Sequence, residues 1–258
     1  MKNLGRTLFF AGLAGLGVLS LIFDDFALVW QPVPQWVPRR EVLAYASGVL
    51  LVAGGLGALF RRTATLAAFI LSAFVFSWLL FLQIPRVASD PSNEGMWLGF
   101  AETLLLLSGG WVLAVSGTIA ERRTRGMAAP GSLGLGIGRY AMGAALPLIG
   151  LSHFVYSAGT ASMVPAWLPG HLFFAYLTGS GHMAAGLGIL LGILPGLAAA
   201  LEALMITLFV LLLHLPGVVA HPHDRLQWTM FLIASAYAGA AWAVAASIRD
   251  DPRKQTKV

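Results

Sequence analysis

Pro34-Gln35-Trp36-Val37-Pro38 returns 131 positions later as Pro165-Ala166-Trp167-Leu168-Pro169. The same shift, without a gap, lays Tyr45 on Tyr176, Gly48 on Gly179, Gly55 on Gly186, Pro85 on Pro216, Pro91 on Pro222, Trp97 on Trp228 and Phe100 on Phe231. Nearer the start the shift is 133, where Gly5-Arg6 meets Gly138-Arg139. A register shared over most of each half reads as a tandem duplication. It divides the chain into repeats at 1–120 and 133–250, a linker at 121–132 and a tail at 251–258.

Between these landmarks the chain is apolar. Of its 258 residues 58% are hydrophobic and 10% charged, with a mean hydropathy of +0.79. Soluble domains carry roughly a quarter charged residues, so this chain has too little polar surface to face water. Apolar runs at about 7–23, 42–60, 64–84, 96–118, 133–157, 171–193, 196–215 and 228–247 each approach the roughly 20 residues a helix needs to cross the hydrocarbon core. The expected fold is an all-α integral membrane protein: eight transmembrane helices as two parallel four-helix repeats. Spans three and seven are expected to stop at Pro85 and Pro216, because proline lacks a donor.

The first span has Lys2 and Arg6 ahead of it, as a secretory signal would. Ile22-Phe23-Asp24-Asp25-Phe26 follows it, with no small-residue cleavage pattern, and its equivalent reappears at 139–157. It therefore reads as a structural helix. Basic residues set the orientation. Twelve fall on one side (Lys2, Arg6, Arg61, Arg62, Arg122, Arg123, Arg125, Arg139, Arg249, Arg253, Lys254 and Lys257) and four on the other (Arg39, Arg40, Arg86 and Arg225). That split predicts cytoplasmic N- and C-termini and a multi-pass protein of the cell inner (plasma) membrane. An even number of helices per repeat makes the two copies parallel, related by an axis along the membrane normal. The net charge of +5 then lies against the anionic leaflet of the lipid bilayer, and no nucleic acid is needed to explain it. Trp30, Trp36, Trp97, Trp167 and Trp228 fall near the outer boundary as an aromatic belt. Glycines such as Gly54, Gly55, Gly179 and Gly186 mark close helix packing.

With no cysteine, the chain has no intrinsic thiol–disulfide, iron–sulfur or thiolate-metal chemistry. Any redox role needs a bound cofactor, a quinone or a partner. The histidines are the main clue. All six (His153, His171, His182, His214, His221 and His223) lie in the second repeat, and the first has Arg40, Leu51, Gln83, Asp90 and Ser92 opposite the last five. His171 and His182 are eleven residues apart, so they share a helix face within roughly 20° and stand about 16 Å apart along the axis. Thr178 shares that face. Two readings stand: a polar path running inward from the outer mouth through His153 and His171 to His182, or interfacial histidines with His182 bonded to a neighbouring helix. Arg139 and Glu202 lie at matching depth, about 9 Å from the cytoplasmic ends of their spans, and are expected to pair because unpaired charges there are costly. Alternatively they form a proton or ligand site. Glu102 is a lone carboxylate in the outer third of span four. Haem could take His153 with His171 or His214, and copper or zinc could sit on His221-Pro222-His223 with Asp224, but no spacing fixes either. The sequence contains no HExxH, nucleophile elbow or phosphate loop.

The second half carries a wider pattern. Gly138-Arg139 opens span five and His153-Phe154 closes it. Val164-Pro165-x-Trp167-x-Pro169 and then Leu177-Thr178-Gly179, with Ala185-Gly186-Leu187-Gly188 beyond, complete the run. In these residues the chain resembles the DoxX-like membrane family, and the first half matches the same motifs more weakly. The resemblance implies a four-helix membrane unit. That family includes a subunit of an archaeal thiosulfate:quinone oxidoreductase and proteins linked to oxidative-stress complexes, and its relatives include membrane chaperones and cargo receptors. Its second helix commonly carries a glutamate after the Thr-Gly, where His182 stands here. Two functions follow. One is a redox-associated subunit that binds quinone in the second repeat, with His182 on a quinone carbonyl and His153 and His171 relaying protons. The other is a non-catalytic assembly protein binding lipid or a partner protein.

Overall fold

A computed structural model describes residues 2–127 and 133–249; linker residues 128–132 and the tail 251–258 lie outside the described residues. All regular structure among the described residues is helical. The nine helices are α1 (Lys2–Ile22), α2 (Arg40–Gly57), α3 (Ala64–Ser89), α4 (Glu94–Thr124), α5 (Leu133–Val155), α6 (Ser157–Met163), α7 (His171–Leu191), α8 (Pro195–Ala220) and α9 (Arg225–Arg249). Seven of them, all but α2 and the short α6, are long and apolar enough to cross a membrane. The 18-residue α2 opens on Arg40 and Glu41, and those two charges lower its mean hydropathy. The chain has the architecture of an all-α, multi-pass membrane protein.

Two helices run further than the sequence suggested. α3 and α8 do not stop at Pro85 and Pro216. Each passes through a π-helical turn, Leu79–Gln83 and Val210–His214, and continues to Ser89 and Ala220. A proline ring crowds the carbonyl four residues back and supplies no N–H. The wider π turn offsets the hydrogen-bond ladder, so each proline enters in the first turn of a fresh α segment, where a missing donor costs little. The expected linker at 121–132 is also partly helical, since α4 extends to Thr124.

α4 and α9 lie together at the centre. α1, α2 and α3 flank this pair on one side, and α5, α7 and α8 on the other. Two of the most extensive interfaces cross between the halves: α1 rests on α9, and α5 on α4. Small residues permit these approaches, which matter in lipid because dispersion replaces the hydrophobic drive between helices. A Cβ on Gly5 would stand 2.8 Å from Ala243 N, and one on Gly12 would stand 2.8 Å from Ala236 N. Those contacts make α1 and α9 antiparallel and bring the start of α1 beside the end of α9. At the centre a Cβ on Gly109 would run into Ala240.

Local features recur at the sequence shift of 131. Asn93 Oδ1 caps α4 by accepting from Gly95 N at 3.0 Å, and Asp224 Oδ1 accepts from Leu226 N at 2.7 Å at the start of α9. Trp97 Nε1 donates to Pro91 O at 3.0 Å, and Trp228 Nε1 to Pro222 O at 2.8 Å. A Cβ on Gly48 would stand 3.0 Å from Gly17 O, and one on Gly179 would stand 3.0 Å from Gly150 O.

The loops before α2 and α7 differ. Trp36 and Trp167 are 80% and 70% exposed, but Trp30 is only 4% exposed and is not part of an interfacial belt. The loop 23–39 folds inward, and Trp30 packs edge-on against Trp78 at 4.3 Å between ring centroids. Gln31 secures it, accepting from Ala27 N and donating to Ser47 Oγ, both at 3.0 Å. Asp25 fastens the same loop to both halves: it pairs with Arg40 of α2 and, at 3.4 Å, with Arg225 of α9. Arg225 also donates to Phe26 O at 2.7 Å. Partial burial pushes the Asp25 carboxyl up. The hydrogen bonds from Arg40 and Phe26 N and the charges of Arg40 and Arg225 outweigh it and hold Asp25 below the ordinary carboxylate value.

Candidate functional site

Thr178 and His182 are one helical turn apart on α7, so their side chains share a face. His153 meets that face from the end of α5. Gly179 makes the approach possible, because a Cβ there would stand 2.7 Å from His153 Cβ. Glu202 enters from α8, and Phe209, seven residues later on the same side of that helix, closes the group.

His182 Nδ1 lies 2.7 Å from Glu202 Oε1, and the two residues are 3% and 1% exposed. A carboxylate taken out of water needs a compensating partner, and His182 is the one it has. The second oxygen, Glu202 Oε2, is buried with no hydrogen-bond partner. The His153 ring stands edge-on to the His182 ring, with centroids 5.0 Å apart. Phe209 contacts both, at 6.5 Å from His153 and 6.0 Å from His182. His153 Nδ1 is 3.0 Å from Thr178 Oγ1. The Thr178 hydroxyl donates to Phe174 O at 2.8 Å, which leaves Oγ1 to accept from His153 Nδ1–H. Nδ1 of both imidazoles is therefore engaged, and Nε2 is the nitrogen each ring offers to anything else. Glu102 of α4, half-buried, lies beside the Tyr237 hydroxyl of α9 and within electrostatic reach of His182.

This grouping redistributes the residues singled out from the sequence. His153, Thr178, His182 and Glu202 come together. Arg139 does not pair with Glu202. Its guanidinium donates to Ser247 O, and its Nε lies 3.2 Å from Ser247 Oγ. Ser247 is in the last turn of α9, where carbonyls have no partner within the helix, and a long cationic side chain reaches such an end readily. Arg6 does the same in the first half, donating to Ala58 O at the C-terminal cap of α2. His171 is not part of the site. It opens α7, about 16 Å along the axis from His182, and makes no hydrogen bond or ring contact among the described residues. Among the described residues no ring contact joins His153 to His171 or His214. The histidine ring packed on His153 is that of His182. Among the described residues no group of three His, Asp or Glu could hold a metal ion, at His221-Pro222-His223 or elsewhere.

Phe209, Tyr237 and the nearness of Glu102 to His182 were missed from the sequence. The spacing of seven between Glu202 and Phe209 was a usable signal for the first. Nothing local announces contacts that α4 and α9 make across the bundle.

The shift of 131 gives the first-half counterparts: Ser47 for Thr178, Leu51 for His182, Leu71 for Glu202 and Trp78 for Phe209. Leu51 and Leu71 are both fully buried in an apolar core. Comparison of the chain with family models, with curated proteins and with solved structures finds no match.

Proposed function

We propose that the chain is a DoxX-like protein of two parallel four-helix units. Eight helices would cross the inner membrane, with both termini cytoplasmic and the Asp25 loop outside. The paired caps, π turns, tryptophan hydrogen bonds and glycine contacts at a shift of 131 support this reading. So does the meeting of Gly109 with Ala240, equivalent positions that would touch on a two-fold axis.

Within it, the second unit serves as a redox-associated subunit that binds a quinone head group beside His182 and exchanges protons with it. One observation carries this: a His182–Glu202 pair at 2.7 Å, buried among apolar helices, whose outer carboxylate oxygen has no partner. A quinone presents carbonyl oxygens to donors and, when bound, supplies two-electron, two-proton chemistry. The residues fit such a head group. His182 would face it through Nε2, Glu202 would hold the imidazole through Nδ1 and stabilise the protonated ring, and Phe209 would pack on it. His153, fixed by Thr178, stands ready to hold a second proton. Electrons would come from a partner protein.

The test is binding of a short-chain ubiquinone to purified protein in lipid nanodiscs. Binding lost in the double variant His182→Leu/Glu202→Leu, with helix content and melting temperature kept, supports the assignment. A folded wild-type protein that binds neither ubiquinone nor menaquinone analogues overturns it. A non-catalytic assembly role is the second reading. It is favoured by the exposed aromatic strip of Tyr140, Phe154, Phe173 and Tyr176 on α5 and α7, in which Phe154 and Tyr176 stack at 5.5 Å. A partner's helix could use that strip. Undiminished partner capture after Phe173→Ala/Tyr176→Ala would count against it.

A further inference from the structure

Among the buried side-chain atoms that lack a hydrogen-bond partner among the described residues are both carboxylate oxygens of Glu94 and Glu202 Oε2. Leaving such groups unpaired in a helix bundle is expensive, so their placement is informative. Glu94 lies in the first turn of α4, at the end of the bundle that carries the Asp25 loop, with both carboxylate oxygens buried. The positive end of α4 favours a carboxylate there. The Tyr156 hydroxyl is close by, 3.1 Å from where a Cβ on Gly95 would be. Glu102 is eight residues further along α4, a rise of about 12 Å, and it is in electrostatic reach of both Glu94 and His182. The Tyr237 hydroxyl of α9 has both Glu102 and Trp30 as neighbours. His182 in turn holds Glu202, whose Oε2 is unpartnered.

We propose that Glu94 and Glu102 of α4 form the proton route to the His182–Glu202 pair, so that the first half of the chain serves the site in the second. This rests on the reading that the pair exchanges protons with its ligand. A proton from water converts the Glu94 carboxylate to the acid. Glu102 takes that proton through bridging water, and Glu94 returns to carboxylate. Glu102 then gives it, again through bridging water, to His182 Nε2 and is itself restored as carboxylate. The net change is one proton moved from water to an imidazolium held by Glu202, and no electron is transferred. Tyr237 and Trp30 line the passage and orient the Glu102 carboxylate; they are positioning residues.

The experiment uses full-length protein with 15N-labelled histidine in lipid nanodiscs. The rate at which His182 exchanges its proton with bulk water is read from exchange-broadened nitrogen resonances. Glu102→Gln keeps the shape and removes the proton-carrying oxygen; it should slow exchange by about 10²-fold, the scale of a lost acid–base group. Glu94→Gln should slow it by less, and Glu102→Asp should restore part of the rate. In each variant the melting temperature and the His182 tautomer should stay as in the wild type, which a merely structural role for Glu102 would not allow. An unchanged rate in a folded Glu102→Gln protein overturns the route. If that variant and the wild type still bind short-chain ubiquinone equally, the route alone has failed. If His182 of the wild type neither titrates nor responds to ubiquinone, the underlying site assignment has failed.

Discussion

Positions related by a shift of 131 are filled differently in the two halves of this chain. In the first half Leu51 and Leu71 are fully buried in one apolar core, and the loop 23–39 packs inward through Trp30 and Gln31. In the second half His182 and Glu202 stand at those positions, and the corresponding stretch 156–170 lies outside as the short helix α6 and a loop with Trp167 exposed. The first filling is what the scaffold alone requires. The second therefore carries a pair that packing did not demand, with an unsatisfied oxygen beside it. Such a difference between equivalent sites points to function more firmly than a buried ion pair would on its own, because a buried pair adds little net stability over an apolar one.

The strongest way to break the comparison is to make the second half resemble the first. Glu202→Leu alone strands the His182 Nδ1–H, and His182→Leu alone strands the carboxylate. Each should lower unfolding free energy by about 3–5 kcal/mol. The double change should be neutral or stabilising by about 1–4 kcal/mol, since Leu51 and Leu71 already pack this way. A double-mutant cycle by chemical unfolding checks this, and additive losses would mean that the two halves are not equivalent here. The next largest effect belongs to the plug. Trp30→Ala removes a ring packed against Trp78 at 4.3 Å and should cost about 3 kcal/mol. It should also open a cavity beside Trp78 that a short-chain quinone or detergent enters. A Trp30→Ala protein as stable as the wild type would show that the loop is only a cover.

A smaller change separates the second pair of counterparts. Thr178 accepts from His153, while Ser47 accepts from Gln31. Thr178→Val and Ser47→Ala should each cost about 1 kcal/mol. Only Thr178→Val should alter the nitrogen shifts of His153, by freeing its Nδ1 and mixing its tautomers. Identical spectra would remove Thr178 from the site.

These contrasts also explain what could be read from the sequence. Helix positions were legible because they follow from apolar run length. His153, Thr178 and His182 were legible as a set because two lie on one helix face and the asymmetry between the halves marked the histidines. The pairing of Glu202 was misread. Depth along a span says how far in a residue lies but not which way it faces, so Arg139 looked like its partner while the helix end at Ser247 claimed it. The prolines misled for a related reason: the rule that proline ends a helix omits the π turn that lets the helix continue. Trp30 was placed at the interface because indoles gather there, yet Gln31 and Asp25 fold its loop inward, and those are tertiary bonds across 16 and 200 positions.

The smallest expected effect concerns the clasp that only the first half has. Asp25 joins Arg40 and Arg225 and so holds the plug loop against the second half, whereas residues 156–170 contain no charged side chain. Folding lowers the Asp25 pKa below its ordinary value, so the carboxylate contributes stability that is fully present above the unfolded value. That contribution fades as pH falls through the folded value, because the unfolded chain takes up the proton first. Asp25→Asn should therefore lower stability slightly at neutral pH, by less than about 1 kcal/mol for a pair this exposed. It should also flatten the acid limb of a melting-temperature profile, and the gap between variant and wild type should close below about pH 4. High salt should narrow the gap at neutral pH as well, since the pair is open to screening. An acid limb unchanged by Asp25→Asn would assign the seating of the loop to Trp30 and Gln31 alone. The two mouths would then differ by packing and not by charge.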